Sequence, residues 1–326
     1  MTTALKNFTA LDRLQAFGYH HSDCSFARRD LSMSASIMAT GARPRRSVLY
    51  MPASNSKALE KAKTLRADSY IFDLEDAVAP DAKADARAAA VTAVQSKAYG
   101  VREILIRTNA LDTAWARDDI FAAARSGVDG VVIPKTQNAA DVQRVDAMLH
   151  DAGAPASLAL FAMIESPQAV LDAAAIARAC PRLAGLIVGT NDLAKDLHCA
   201  HPADRWPMMH ALQHCVLAAR AAGIAILDGV HLDLNDEPGL EHACRQGRDL
   251  GFDGKTLIHP KQIEAANIAF APSASEIDRA RRIVAAHTEA MAKGQGVTLV
   301  DGRLVEGLHV LEAERLLAHA AAIAAL

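Results

Sequence analysis

Glu165 and Asp192 each follow a short run of apolar residues, and 27 positions separate them. That is about the length of one strand–helix repeat, which sets the two carboxylates at the ends of neighbouring strands. Two converging carboxylates suit a hard divalent cation, because Mg²⁺ takes one or two of them and leaves its other positions to water and substrate oxygens. The other reading of Asp192 is the N-cap of a helix, since Asn191-Asp192 precedes Leu193-Ala194. The 13 histidines are scattered without an H-E-x-x-H spacing, so oxygen ligation is the better reading than a transition-metal site. Arg107 also closes an apolar run, and its planar fork fits a carboxylate bidentately. The stretch Phe72-Asp73-Leu74-Glu75-Asp76 holds three acids within four residues, and these are alternative partners for the same guanidinium. Arg45 and Arg46 open the first apolar run, and for them solvation and phosphate binding both stay open.

These groups need a scaffold that brings strand ends together. Short β-branched or apolar runs recur at 47–51, 69–74, 103–107, 130–134, 158–164, 185–188, 224–228 and 255–258. Between them lie Ala-rich segments, and 81–96, 139–150 and 167–179 show apolar residues at helical spacing. Eight strands alternating with helices predict parallel βαβ units. Residues 46–258 span 213 positions, which falls in the lower part of the range for a TIM (β/α)₈ barrel. An open doubly wound sheet is the competitor, but no G-x-G-x-x-G follows the first strand. In a barrel the ends of all eight strands converge on one mouth, and acidic or basic groups stand at nearly every one of them.

The expected organisation is an N-terminal extension over 1–42, the barrel over 43–262 and a C-terminal helical arm over 263–326. Within the arm, 263–271 and 275–293 read as helices and 297–300 as a strand, with an Asp301-Gly302 turn suited to a hairpin and a last helix from about Val310. The arm is expected to cover the barrel mouth or a neighbouring subunit.

Composition narrows the function classes. The 326 residues are 51% hydrophobic and 22% charged, with a net charge of −3. Without a basic excess there is no general pull toward nucleic acid phosphates. No apolar stretch reaches about 18 residues, so no membrane span is expected. Five cysteines, none in a C-x-x-C pair, point to reduced thiols and a cytoplasmic setting rather than a disulfide framework. Residues 1–42 lack a continuous apolar core of the kind a secretory signal needs.

Taken together, the strand ends resemble a known family. Arg46-Ser47-Val48-Leu49-Tyr50-Met51-Pro52, Asp73-Leu74-Glu75-Asp76-Ala77-Val78 and Arg107-Thr108-Asn109 are similar to segments of the citrate lyase beta-subunit-like family, which includes malyl-CoA and citramalyl-CoA lyases. So are Ile164-Glu165-Ser166, Gly189-Thr190-Asn191-Asp192-Leu193 and the stretch from Gly251-Phe252-Asp253-Gly254-Lys255 to Ile258-His259-Pro260-Lys261-Gln262. The resemblance runs in family order over about residues 45–325 and implies a TIM barrel, assembled as a homotrimer or hexamer, that binds Mg²⁺ and a coenzyme A thioester. It implies Glu165 and Asp192 as Mg²⁺ ligands, with Glu165 also touching substrate, and Arg107 as the catalytic clamp on the 2-oxo acid part. Glu75 and Asp76 become water-mediated partners of the metal, and Arg46 a contact for coenzyme A or substrate. The family's arm offers a G-x-x-x-D-x-P acid/base across the subunit interface. Here that segment reads Gly302-Arg303-Leu304-Val305-Glu306-Gly307, so Glu306 takes the place of the aspartate, the proline is missing, and Asp301 is a nearby alternative.

The activity this implies is a Mg²⁺-dependent carbon–carbon lyase that splits malyl-CoA or citramalyl-CoA into acetyl-CoA and a 2-oxo acid. The metal polarises the substrate oxygens, Arg107 holds the carboxylate, and a carboxylic acid protonates the enolate. The rivals are a malyl-CoA thioesterase built on the same site, a pyruvate-type aldolase acting on free hydroxy-oxo acids, and a barrel that has lost its catalytic base.

Overall fold

The computed structural model describes residues 43–326, so the expected extension over 1–42 lies outside the described residues. Eight parallel strands close into a barrel in the order of the chain: β1 (Ser47–Pro52), β2 (Ser69–Asp73), β3 (Glu103–Arg107), β4 (Gly130–Ile133), β5 (Ala159–Ile164), β6 (Leu183–Val188), β7 (Ala225–Asp228) and β8 (Gly254–Leu257). The TIM-barrel expectation holds, and each strand falls within two residues of its expected place.

Alternation along the strands sorts the side chains into two layers. Val48, Ile71, Leu105, Val132, Phe161, Ile187 and Leu227 fill the interior. Their neighbours Leu49, Tyr70, Phe72, Ile104, Ile106 and Val131 point outward into a second core shared with the helices. Those helices include α1 (Ser56–Ala62), α2 (Lys83–Gln95), α3 (Ala116–Ser126) and α4 (Ala139–Asp151). Asn138 starts α4 with a capping box, its side chain accepting from the N–H groups of Ala140 and Asp141.

The single helix expected over 167–179 is two: α5 (Pro167–Leu171) and α6 (Ala173–Ile176). The chain leaves helical geometry at Asp172 (φ −91°, ψ 3°). This break leaves Leu171 facing solvent and turns Ala173 and Ile176 into the core. The circuit continues through α7 (Thr190–Asp196), α8 (Met209–Ala222) and α9 (Glu237–Leu250). After β8, α10 (Ile263–Phe270) packs on α9, β8 and β1, in the place of the barrel's eighth outer helix.

The sheet closes where β1 pairs with β8, Ser47 beside Lys255 and Leu49 beside Leu257. A methyl group on Gly254 would lie 1.8 Å from the Arg45 carbonyl oxygen, so this seam admits only glycine. Below it, the N-terminal end of the barrel is stopped by a buried ion pair. Arg45 donates from Nε and Nη2 to the two Glu103 oxygens at 2.7 Å each, Ser69 Oγ adds 2.9 Å, and the guanidinium lies 5.1 Å from the Phe161 ring centre.

The arm holds α11 (Ala274–Ala292), the hairpin strands β9 (Thr298–Val300) and β10 (Arg303–Val305), and α12 (Gly307–Ala324), which lies along α11. Asp301 and Gly302 turn the hairpin with φ of 52° and 73°, the two positive values a two-residue reversal requires. Leu299 and Leu304, paired across the hairpin, are exposed, as are Leu308 and Leu311 on α12.

Candidate active site

The C-terminal ends of the strands surround a cavity of about 390 Å³. Asp73 reaches it from the end of β2 and Asp76 from just beyond, Arg107 from the end of β3, Glu165 from directly after β5 and Asp192 from the first turn of α7, which follows β6. A groove of about 460 Å³ on the outer helices, around the Asp146–Arg182 ion pair, lies away from the C-terminal strand ends and gathers none of these groups.

Arg107 is placed by the strand alternation that puts Leu105 in the barrel interior two residues earlier. Its Nε and Nη2 donate to both oxygens of Asp73 at 2.7 and 2.8 Å, and its Nη1 lies 2.9 Å from Glu75 and 3.6 Å from Asp76. The guanidinium sits 4.7 Å from the ring centre of Tyr50, whose hydroxyl points to Met163 Sδ at 3.8 Å. Burial alone would push the Asp73 carboxyl up, but the hydrogen bonds and charge of Arg107 outweigh it and hold Asp73 below the usual carboxylate range. The acidic stretch on β2 therefore does hold Arg107, and does so at the cavity wall.

Glu165 stands on the other side. It is 4% exposed, and its Oε1 accepts the Lys135 backbone N–H at 2.6 Å. Burial pushes its carboxyl up; the Lys135 N–H opposes this, and the neighbouring Glu75 and Asp192 carboxylates add to it, leaving a value of about 7. A methyl group on Gly189 would lie 2.5 Å from Glu165 Oε2, so the absence of a side chain there makes the room Glu165 occupies. Asp192 does not cap its helix. Gly189 is the N-cap of α7, and Asp192 lies in the first turn, where a carboxylate also faces the positive end of the helix dipole.

This donor set fits Mg²⁺. Among the described residues no three His, Cys, Asp or Glu side chains converge as a ready-made cage. Mg²⁺ is the ion that uses one or two carboxylates and completes its shell with other oxygens. Among the described residues the buried Asn191 Oδ1 beside Asp192 also lacks a hydrogen-bond partner.

Not every expected site residue reaches the mouth. Arg46 precedes β1 and so stands at the opposite end of the barrel, where its Nε and Nη2 donate to Asp68 at 2.8 Å each. Arg46 is thus engaged in an ion pair of the N-terminal face and is not among the residues lining the cavity where the expected contact with coenzyme A or substrate would be made. Glu306 caps α12 and accepts no place among the residues lining the cavity of its own chain. Asp301 pairs with Arg282 at 2.7 Å within the arm. Glu75 is buried at the mouth, between Arg107 and Lys135 Nζ at 2.8 Å.

Sequence reasoning assigned no role to Tyr50, Met163 or Lys135. The signal for Tyr50 and Met163 was their inward register, two residues beyond Val48 and Phe161. For Lys135 it was position alone, directly after Pro134 at the end of β4.

The comparisons with known proteins agree with this geometry. A family profile described as HpcH/HpaI aldolase/citrate lyase matches residues 46–260. A (3S)-malyl-CoA thioesterase of Cereibacter sphaeroides is 51% identical over 288 residues, covering 88% of this chain and 99% of that protein. The citrate lyase subunit beta of Leuconostoc mesenteroides subsp. cremoris is 37% identical over 280 residues, covering 84% and 93%. Among solved structures, the CitE protein of Mycobacterium tuberculosis in complex with magnesium, acetoacetate and coenzyme A superposes with a TM-score of 0.68 at 30% identity, over 86% of this chain and 99% of that one. Strand order, the acids and arginine at the mouth and these likenesses lead to one assignment: the chain belongs to the HpcH/HpaI aldolase/citrate lyase family.

Proposed function

We propose that the protein is a Mg²⁺-dependent enzyme of coenzyme A thioesters and that it hydrolyses malyl-CoA to malate and free coenzyme A. The observation that carries this is the meeting of Glu165 and Asp192 with Arg107 around one cavity. A carboxylated, hydroxylated acyl chain needs that combination, a cation site for its oxygens beside a guanidinium for its free carboxylate. The likeness to the (3S)-malyl-CoA thioesterase over nearly the whole of that protein supports hydrolysis over the lyase reaction expected from the sequence.

Glu165 and Asp192 would hold the metal, which when bound supplies Lewis acidity and a template for the substrate oxygens. Arg107, pinned by Asp73 and stacked on Tyr50, binds and orients the substrate carboxylate with little freedom left to lose. Hydrolysis then requires water to add to the thioester carbonyl with loss of a proton to a base. The C–S bond breaks as the carbonyl re-forms, and the coenzyme A thiolate takes up a proton. Glu306 is the candidate for that proton traffic. It lies outside its own chain's cavity, so it would serve the cavity of another copy in a homotrimer or hexamer. The exposed Leu299, Leu304, Leu308 and Leu311 around it support such a contact.

The second reading is carbon–carbon cleavage, supported by the likeness to citrate lyase beta subunits. Incubation with (S)-malyl-CoA and Mg²⁺ separates the two. Free coenzyme A with malate is the expected result, acetyl-CoA with glyoxylate would establish the lyase, and no turnover of the thioester would rule out both.

A further inference from the structure

Lys135 has left-handed backbone geometry (φ 51°), unlike the extended chain of the strand it follows. A lysine gains nothing locally from this conformation, which crowds its Cβ against the backbone. Such strain persists where the surroundings enforce it, and it gathers at functional sites. Here two contacts depend on it. The backbone N–H turns onto Glu165 Oε1 at 2.6 Å, and the side chain folds back so that Nζ meets Glu75 Oε1 at 2.8 Å. Glu75 Oε2 in turn lies 2.9 Å from Arg107 Nη1. Among the described residues both Glu75 oxygens are buried and form no well-directed hydrogen bond, so that carboxylate relies on the two cations it touches, Lys135 and Arg107, with Lys83 bonded at 2.7 Å to its backbone carbonyl. The loop is also sewn to the far side of Glu165, since Ser166 Oγ donates to Gln137 Oε1 at 2.8 Å.

We infer that Lys135 is the positioning residue that joins the two halves of the site: its backbone N–H aims the candidate metal ligand Glu165, and its ammonium holds Glu75 against the carboxylate clamp Arg107. The inference rests on the proposed function for its substrate, but not for its geometry. Without the ammonium, Arg107 is the one cation left in direct contact with the Glu75 carboxylate among the described residues, and Glu75 pulls the guanidinium from its place between Asp73 and the cavity. With it, Arg107 is held from two sides. Lys135 thereby sets how well the site captures a substrate carboxylate, without itself touching the reacting atoms.

Four variants of the full-length protein test this: K135M, K135R, K135A and K135G. K135M is expected to raise KM for malyl-CoA roughly tenfold, the usual scale for losing a group that orients a ligand-binding residue, with a smaller change in kcat. K135R keeps a cation at Glu75 and should lie closer to wild type than K135M. In the metal-free protein K135G should melt above K135A. Both lack the ammonium, and only glycine accepts the left-handed backbone without crowding, so the ordinary advantage of alanine is reversed. Calorimetric titration with Mg²⁺ alone should show K135A binding more weakly than K135G, because alanine favours relaxing the turn that aims the N–H at Glu165. A K135M enzyme with wild-type KM, or a K135A protein that melts above K135G with unchanged Mg²⁺ affinity, overturns the inference. If the wild-type chain leaves malyl-CoA untouched, the proposed function falls, and the melting order and Mg²⁺ titrations still decide the role of Lys135.

Discussion

At the N-terminal end of the barrel, Glu103 is buried with Arg45 and Ser69 and has a donor for each of its oxygens. At the C-terminal end, Glu165 is as deeply buried, yet it has one backbone N–H and faces other carboxylates. The two acids answer burial in opposite ways. Burial would raise Glu103, but the charge and hydrogen bonds of Arg45 win and hold it below its ordinary value of 4.5. Glu165 has no such partner and rises to about 7. The mouth as a whole carries Asp73, Glu75, Asp76, Glu165 and Asp192 against Arg107 and Lys135. A closed pair at one end is a stabilising plug. A set of acids that outnumbers its cations at the other fits a divalent ion, and without one it stands at some expense to the stability of the protein.

The sharpest way to break this contrast is to neutralise one acid at each end. Glu165→Gln should lower Mg²⁺-dependent turnover by about 10³-fold, since several kcal/mol of transition-state stabilisation depend on the metal. Its metal-free fold should be as stable as wild type or more so. Glu103→Ala should do the reverse. It leaves Arg45 buried without a partner and costs about 3–5 kcal/mol, readable as a lower urea midpoint, while the molecules that stay folded keep their turnover. A Glu103→Ala protein of unchanged stability, or a Glu165→Gln enzyme of unchanged turnover, would collapse the distinction.

Acidity separates the ends next. A carboxyl raised in the folded state stabilises below its ordinary value and loses that contribution as pH rises through the folded value. The metal-free wild type should therefore lose stability relative to Glu165→Gln between pH 4.5 and about 7, by about 3–4 kcal/mol on the scale of 1.4 kcal/mol per pH unit. Glu103 runs the other way. Its contribution is full above 4.5 and fades as pH falls through its lowered folded value, so wild type and Glu103→Gln should converge in stability in acid. Thermal melts across pH on the metal-free proteins check both. The smallest expected effect is at Gly189, where an added methyl group meets Glu165 Oε2 at 2.5 Å. Gly189→Ala should weaken Mg²⁺ binding by roughly tenfold, because the methyl group also meets Glu165 Cβ at 2.6 Å and displaces that residue as a whole.

Much of this was legible in the chain beforehand. The eight strands follow from the alternation of apolar runs with Ala-rich helices, and the Glu165–Asp192 pairing follows from one repeat of spacing. The Arg107–Asp73 contact was one of two readings, and the structure shows that it coexists with an open cavity. Arg46 stands apart from the cavity, and its position before β1 already marks it for the N-terminal face, where barrel residues serve stability. Lys135 escaped because no residue type announces a left-handed turn when the residue is not glycine; the conformation comes from contacts with Glu165 and Glu75 that only the closed barrel creates. The helix break at Asp172 was hidden for a similar reason, since an alanine-rich stretch carries no stop signal of its own.

The seam at Gly254 has a consequence in time. The residues it joins, Ser47 and Lys255, lie roughly two hundred positions apart, so their pairing is among the most non-local contacts of the chain. The other strand pairs form between neighbours in sequence, one βα unit at a time, and the last registers only after the chain has come full circle. Closure therefore carries the largest loop-closure cost of the barrel's strand pairs, and it is made by backbone passing backbone without a side chain between them. A chain with alanine at 254 would assemble its repeats and stall as an open, curved sheet, with the edges of β1 and β8 free to pair with another molecule.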